Sequence, residues 1–318
     1  MTDVIPASED VAASEAASIK DYIDLMKPRV MMLVVFTAFA GLIAAPVDMN
    51  MVMAVSAVLA VALGSGAAGA LNMWYDHDID AVMSRTATRG VPSGLIPRDE
   101  ALGLGLIMSF LSVALMAISS NLLAAGLLAF SIFFYAVIYT MWLKRWTAQN
   151  IVIGGAAGAF PPVIGWAAAT GDAPANAWLL FTIIFFWTPP HFWALSLWAS
   201  GDYAKAQVPM LPVTNGAVET RRQILLYSLL LAPLGVVPAV TGLGGWIYLI
   251  ASIGLGVWFL ALALRLSGSR AGDVGGDEDI PHAKRLFGAS IVYLFGLFAV
   301  LAIEHGFGLL FPVSIGAG

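Results

Sequence analysis

The 318-residue sequence contains no cysteine, which excludes disulfides and thiolate-held metals. Charge is also scarce. Asp, Glu, Lys and Arg make up 11% of the chain, against roughly 25% in soluble globular domains. A surface so poor in charge is ill suited to water, and with 60% hydrophobic residues the default class is a membrane protein. Lys and Arg are missing altogether from residues 1–19, which hold Asp3, Glu9, Asp10 and Glu15. That argues against an Arg-rich, acid-poor mitochondrial presequence and against a secretory signal with a positive start. Residues 1–26 are expected to be a polar cytoplasmic tail. No nucleic-acid partner is expected.

A spanning helix needs roughly 20 mostly apolar residues. Stretches at about 30–46, 51–73, 101–118, 122–142, 151–170, 176–198, 223–242, 245–264 and 286–304 qualify. The predicted fold is therefore all-α and integral to the lipid bilayer, with nine transmembrane helices over 27–305. If these alternate in direction, all 15 Lys and Arg residues fall on one face. They lie before the first helix, after helices 2, 4 and 6, and after helix 8. The positive-inside rule makes that face cytoplasmic. The chain is read as a multi-pass protein of a bacterial inner membrane, with a cytoplasmic N-terminus and a short periplasmic tail at 306–318. The basic-side connections after helices 2, 6 and 8 are long, and loops of that length usually have a function.

The first of them opens with NMWYDHDID at 72–80, directly after the uncharged run 51–73. On a helix, Asn72, Asp76 and Asp80 drift by only about 40° per step, so three oxygen-bearing side chains converge. Two carboxylates so close repel unless a cation lies between them, and such hard oxygen donors suit Mg²⁺ together with a substrate phosphate. His77 and Asp78 point elsewhere around the helix. Acids at a helix C-terminus oppose its dipole, which argues against a simple cap. Arg85 and Arg89 follow, and cations beside such a cluster make a site for a diphosphate. The stretch GSGAAG at 64–69 matches a dinucleotide fingerprint but lies inside a span with no strand before it, so its small residues are read as helix contacts. GGAAG at 154–158 reads the same way.

A second constellation is WTPPHFWALSLWASGDYAKAQVPMLPV at 187–213. Pro189 and Pro190 are expected to kink or break the sixth helix and to free backbone groups. His191 follows inside the membrane. It could ligate haem iron, bond a ring substituent, or bond a carbonyl freed by the prolines. Asp202 and Lys205 look like a partner half-site on the basic face. His282 and His305 are read as solvated surface residues.

With these residues in place, the chain resembles the UbiA superfamily of membrane prenyltransferases, and within it the branch that prenylates haem. The resemblance runs from about residue 20 to 300. It is carried by KPRV (27–30), LNMWYDHDIDAVMSRT (71–86), QNIVIGGAAGAFPPVIGW (149–166), WTPPHFWAL (187–195), DYAKAQVPMLPV (202–213) and AKRLFGASIVYLFGLF (283–298). It implies nine helices around a central cavity opening to the cytoplasmic side, and Mg²⁺ as cofactor. It further implies transfer from farnesyl diphosphate to the vinyl group of haem B as substrate. Asn72, Asp76 and Asp80 would form a first metal site, and Asp202 would belong to a second. Lys27, Arg29, Arg85, Arg89, Lys144 and Lys205 would hold diphosphate, and His191 would face haem. A protein partner, if there is one, would be a later haem-modifying enzyme or a terminal oxidase. The competing readings are a prenyltransferase acting on an aromatic quinone precursor, a cation-coupled transporter and a non-catalytic haem carrier. Three departures stand out. The second motif lacks a paired acid, with Trp198 and Ala206 at the flanking positions. Gly90 stands where the resemblance calls for Pro. Gln207 stands where it calls for Gly.

Overall fold

A computed structural model describes residues 17–311 and 313. The polar segment 1–16 lies outside them. Eight helices among the described residues are long and apolar enough to cross a membrane. Ile19–Leu25 (α1) and Pro28–Ala44 (α2) are bent by 55° and, counted as one span, make nine. The others are Met51–Tyr75 (α3), Arg98–Ser119 (α5), Leu122–Trp146 (α6), Asn150–Thr170 (α7), Ala175–Trp198 (α8), Gly216–Val240 (α11), Trp246–Ser267 (α12) and Ile280–Gly306 (α13). Short helices His77–Val82 (α4), Ser200–Lys205 (α9) and Leu211–Thr214 (α10) occupy the long basic-side connections.

The expected tail over 1–26 needs correction. Its end is the ordered helix α1, and Leu25 there is only 1% exposed. The bend that follows is written in the sequence KP. A residue before proline is pushed out of the α region, and Lys27 takes the left-handed conformation at φ 55°. Pro28 then starts α2 at a position where its missing N–H costs nothing. The bend rests on α3 at two glycines of GSGAAG. A Cβ at Gly69 would meet the Leu25 and Met26 carbonyl oxygens, and one at Gly66 would meet the Met26 side chain. The apparent nucleotide motif is thus a seat for the α1–α2 elbow. In the second stretch Gly154 lies against Tyr139 and Gly155 against Thr188, while Gly158 faces open space.

Of the kink or break expected at Pro189 and Pro190, the break does not occur: α8 is continuous from Ala175 to Trp198. The two prolines are buried, and the residues before them are anchored. Thr188 Oγ1 donates to the Ile184 carbonyl at 2.8 Å, and Trp187 Nε1 donates to the Ser290 carbonyl on α13 at 2.7 Å. Tertiary contacts therefore hold the register that two missing N–H groups would loosen. Gln207 has φ 53°. The glycine that the resemblance calls for there would adopt this backbone without strain.

On the face opposite the arginines, Glu304 of α13 is fully buried. Its carboxylate accepts from Gly245 N at 2.7 Å and Tyr248 N at 2.9 Å, and so caps the N-terminus of α12. An acid at that end also complements the helix dipole. Neighbouring His305 is not simply solvated, because its Nε2 lies 2.7 Å from the Leu243 carbonyl. Glu304→Ala would leave two buried N–H groups unpaired. We expect a loss of roughly 2–3 kcal/mol, read as a lower melting temperature in detergent, whereas Glu304→Gln, which keeps an acceptor, should lose less. Equal melting of the alanine variant and the parent would refute the cap.

Candidate active site

The uncharged run of α3 ends at Tyr75, and the chain turns at Asp76 and restarts as α4. The backbone ladder nevertheless continues: Asp76 N donates to the Asn72 carbonyl at 2.9 Å and Asp80 N to the Asp76 carbonyl at 2.8 Å. The four-residue spacing therefore does converge Asn72, Asp76 and Asp80. All three are buried, with Asp76 at 0% exposure. The dipole argument is modified, since Asp78 and Asp80 lie in the first turn of α4, where acids are favourable.

Buried carboxylates need partners, and cations supply them. Lys144 Nζ donates to Asp76 Oδ2 at 2.5 Å, and Arg89 donates to Asp80 Oδ2 at 2.8 Å. Lys27, turned inward by its left-handed backbone, donates to Asn72 Oδ1 at 2.5 Å. Asn72 Nδ2 in turn donates to Asp76 Oδ2 at 2.7 Å and to Thr140 Oγ1 at 3.0 Å. Asp76 Oδ1 is enclosed and makes no hydrogen bond. Arg145 stands 3.6 Å from it, beyond bonding distance. Asp78 points away, as expected, and takes Arg145 in a two-pronged contact at 2.7 and 2.8 Å. That hydrogen bonding holds the Asp78 carboxyl at about 2, below the usual carboxylate range.

Asp202 is not part of this cluster. Its Oδ2 accepts from Ser84 Oγ at 2.6 Å, which ties α9 to the end of α4 and lowers its pKa. Arg85 is exposed and lies beside the Tyr203 phenol. Lys205 is exposed and lines a cavity of about 370 Å³ with Asp78 and Arg145. Arg29 is exposed and makes no ion pair among the described residues. No group of three His, Asp or Glu among the described residues could hold one ion. A first metal would thus rely on two carboxylates plus the Asn72 amide oxygen, with the remaining positions left for substrate. Hard oxygen donors, one orphaned carboxylate oxygen and nearby cations fit Mg²⁺ bound to a diphosphate.

Sequence reasoning missed how Thr140 and Lys144 arrive here. Residues Phe134–Leu143 of α6 are π-helical, a long stretch for a form usually seen as single-turn bulges at functional sites. From this stretch and the residue after it, Thr140 meets Asn72 and Lys144 meets Asp76. FYAVIYTMWL has no local signature for this. Ser84 and Ser290 were missed for a simpler reason: they are common residues whose partners lie 118 and 99 positions away.

His191 lies on α8 with its ring stacked between Trp187 (centroids 4.3 Å apart) and Phe287 (4.5 Å). Its Nδ1 is 2.6 Å from Ser290 Oγ, so its partner is a side chain of α13 and not a carbonyl freed by the prolines.

A model of the UbiA prenyltransferase family matches residues 33–274. A protein from Hyphomonas neptunium named protoheme IX farnesyltransferase is 64% identical over 302 residues, covering 93% of this chain and 95% of its own. One of the same name from Caulobacter vibrioides is 60% identical over 308 residues, covering 92% of each. Among solved structures, a digeranylgeranylglyceryl phosphate synthase superposes with a TM-score of 0.71 at 17% identity, over 90% of this chain and 98% of that one. A UbiA homologue from Archaeoglobus fulgidus bound to GPP and Mg²⁺ does so with a TM-score of 0.65 at 16% identity, over 89% and 99%. At such identities the structural likeness speaks for the fold.

Proposed function

This chain belongs to the UbiA prenyltransferase family, and we propose that it transfers the farnesyl group of farnesyl diphosphate to a vinyl group of haem B, with addition of water, giving haem O and diphosphate. The observation that carries the chemistry is the buried pair Asp76 and Asp80, held by Lys144 and Arg89 with Lys27 close by. Relatives named for the same acceptor support the choice of haem.

Asn72, Asp76 and Asp80 are the residues that would hold Mg²⁺, and Asp202 with Ser84 forms an outer half-site. When bound, the ion supplies Lewis-acid stabilisation of the departing diphosphate. Lys27, Lys144 and Arg89 now neutralise the acid cluster. With substrate present their N–H groups are free to turn to phosphate oxygens, with Arg85, Lys205 and Arg29 nearer the rim. The C1–O bond of the farnesyl diphosphate breaks and its electron pair leaves with the diphosphate. The terminal vinyl carbon bonds to C1. Water adds to the cation left on the inner vinyl carbon and its proton is released. His191 stands on the apolar α8–α13 wall, where a porphyrin can lie. The basic face is proposed to be cytoplasmic, in a bacterial inner membrane, because all 15 Lys and Arg residues are placed there by the alternation of the spans.

The test is direct. Purified protein in detergent, given haem B, farnesyl diphosphate and Mg²⁺, should yield an extracted haem heavier by one farnesyl group plus hydroxyl. The product should be absent without Mg²⁺ or without the diphosphate. Unmodified haem from folded protein, together with prenylation of a quinone precursor, would overturn the acceptor assignment.

A further inference from the structure

Ser290 of α13 makes three contacts that converge on one imidazole. Its carbonyl accepts from Trp187 Nε1 at 2.7 Å. Its hydroxyl donates to the Phe287 carbonyl at 2.6 Å and lies 2.6 Å from His191 Nδ1. A hydroxyl has a single proton. When that proton goes to Phe287 O, the oxygen accepts from His191 Nδ1–H. That arrangement leaves the lone pair on Nε2. Among the described residues Nε2 has no hydrogen-bond partner and is not among the enclosed unpaired atoms. Both ring faces are covered, by Trp187 at an interplanar angle of 19° and Phe287 at 22°. Tipping the imidazole would break a stack and flipping it would break the Nδ1 hydrogen bond, so Nε2 is the one reactive atom it offers.

We propose that Ser290 is a positioning residue that holds His191 in the Nδ1–H form and so presents Nε2 as an axial ligand to the iron of the haem substrate. This rests on haem B being the acceptor. The arrangement is that of a metal-binding histidine. One nitrogen donates within the protein, which fixes the ring and raises its basicity, and the other is free. A general base would be better served by a carboxylate on Nδ1, and the partner here is a neutral hydroxyl relayed to a carbonyl. The continuity of α8 is part of the device: Trp187 and His191 stay four residues apart on one face because Pro189 and Pro190 between them do not break the helix. Iron ligation would fix the porphyrin against the α8–α13 wall and so set which edge can reach the diphosphate end of the bundle.

The experiment uses the full chain in detergent with ferrous haem B and no farnesyl diphosphate, read by resonance Raman spectroscopy. The parent should show an iron–histidine stretching band. His191→Gly should lose it and added imidazole should restore it. Ser290→Ala should keep the band but move it to lower frequency, because the ligand loses its Nδ1–H acceptor. Ser290→Thr, which keeps the hydroxyl, should move it back. Turnover of Ser290→Ala should fall about 10- to 100-fold, in the range of outer-shell changes. An unchanged spectrum in His191→Gly would overturn ligation, and an unshifted band in Ser290→Ala would overturn the positioning role. If either occurs while the parent still farnesylates haem, the functional reading stands and only this inference falls. A parent that neither binds nor converts haem B removes both.

Discussion

Asp76→Asn is expected to reduce farnesyl transfer by about a thousandfold while haem binding, followed by the Soret band, stays within twofold of the parent. The substitution keeps the shape of the side chain and removes its charge. Asp76 is the residue on which the cluster turns. It is fully buried, takes Lys144 and the Asn72 amide on Oδ2, and leaves Oδ1 without a hydrogen bond, 3.6 Å from Arg145. Asp78→Asn is the control within the same segment. Its carboxylate faces Arg145 and the surface, and its loss should lower turnover less than tenfold. Equal losses in the two variants would mean that the acids act only through general charge. A parent-like rate for Asp76→Asn would end the assignment of this cluster to the diphosphate.

Gly165→Ala should have the largest effect on stability. Gly165 of α7 faces α2, and a Cβ there would overlap the Ala38 carbonyl oxygen. Gly41 of α2 meets the Pro162 backbone in the same way. These are backbone-to-backbone contacts, so no side-chain rotation can make room and the two helices must part. In lipid, helices associate through such close packing and not through a hydrophobic drive. We expect a loss of about 3 kcal/mol and a matching fall in melting temperature in detergent. Gly158→Ala lies on the same helix but faces open space, and should be neutral or stabilising by up to about 1 kcal/mol from helix propensity. If both variants melt alike, the close approach of α2 and α7 is not what holds that part of the bundle.

Much of this architecture is legible because lipid leaves the chain few choices. A segment that cannot satisfy its backbone with water must be a helix, so hydropathy locates the spans, and the placement of Lys and Arg orders them. The 76–80 acids are legible for a related reason: a carboxylate at the edge of a span is costly unless it has a task, and four-residue spacing places it on a known face. What remained hidden depends on partners far along the chain. That Lys27 reaches Asn72 follows from an elbow seated on Gly66 and Gly69. That Lys144 reaches Asp76 goes with ten residues of π-helix.

By itself, then, the sequence determined the membrane class, the order of the spans and the line of Asn72, Asp76 and Asp80, because each rests on a local periodicity or on the solvation cost of a charge. Only the tertiary structure decided that Pro189 and Pro190 leave α8 whole, that Asp202 meets Ser84, and that Ser290 meets His191. Those outcomes turn on which side chains meet across helices, and a hydroxyl or a proline carries no mark in the chain of the neighbour that will satisfy it.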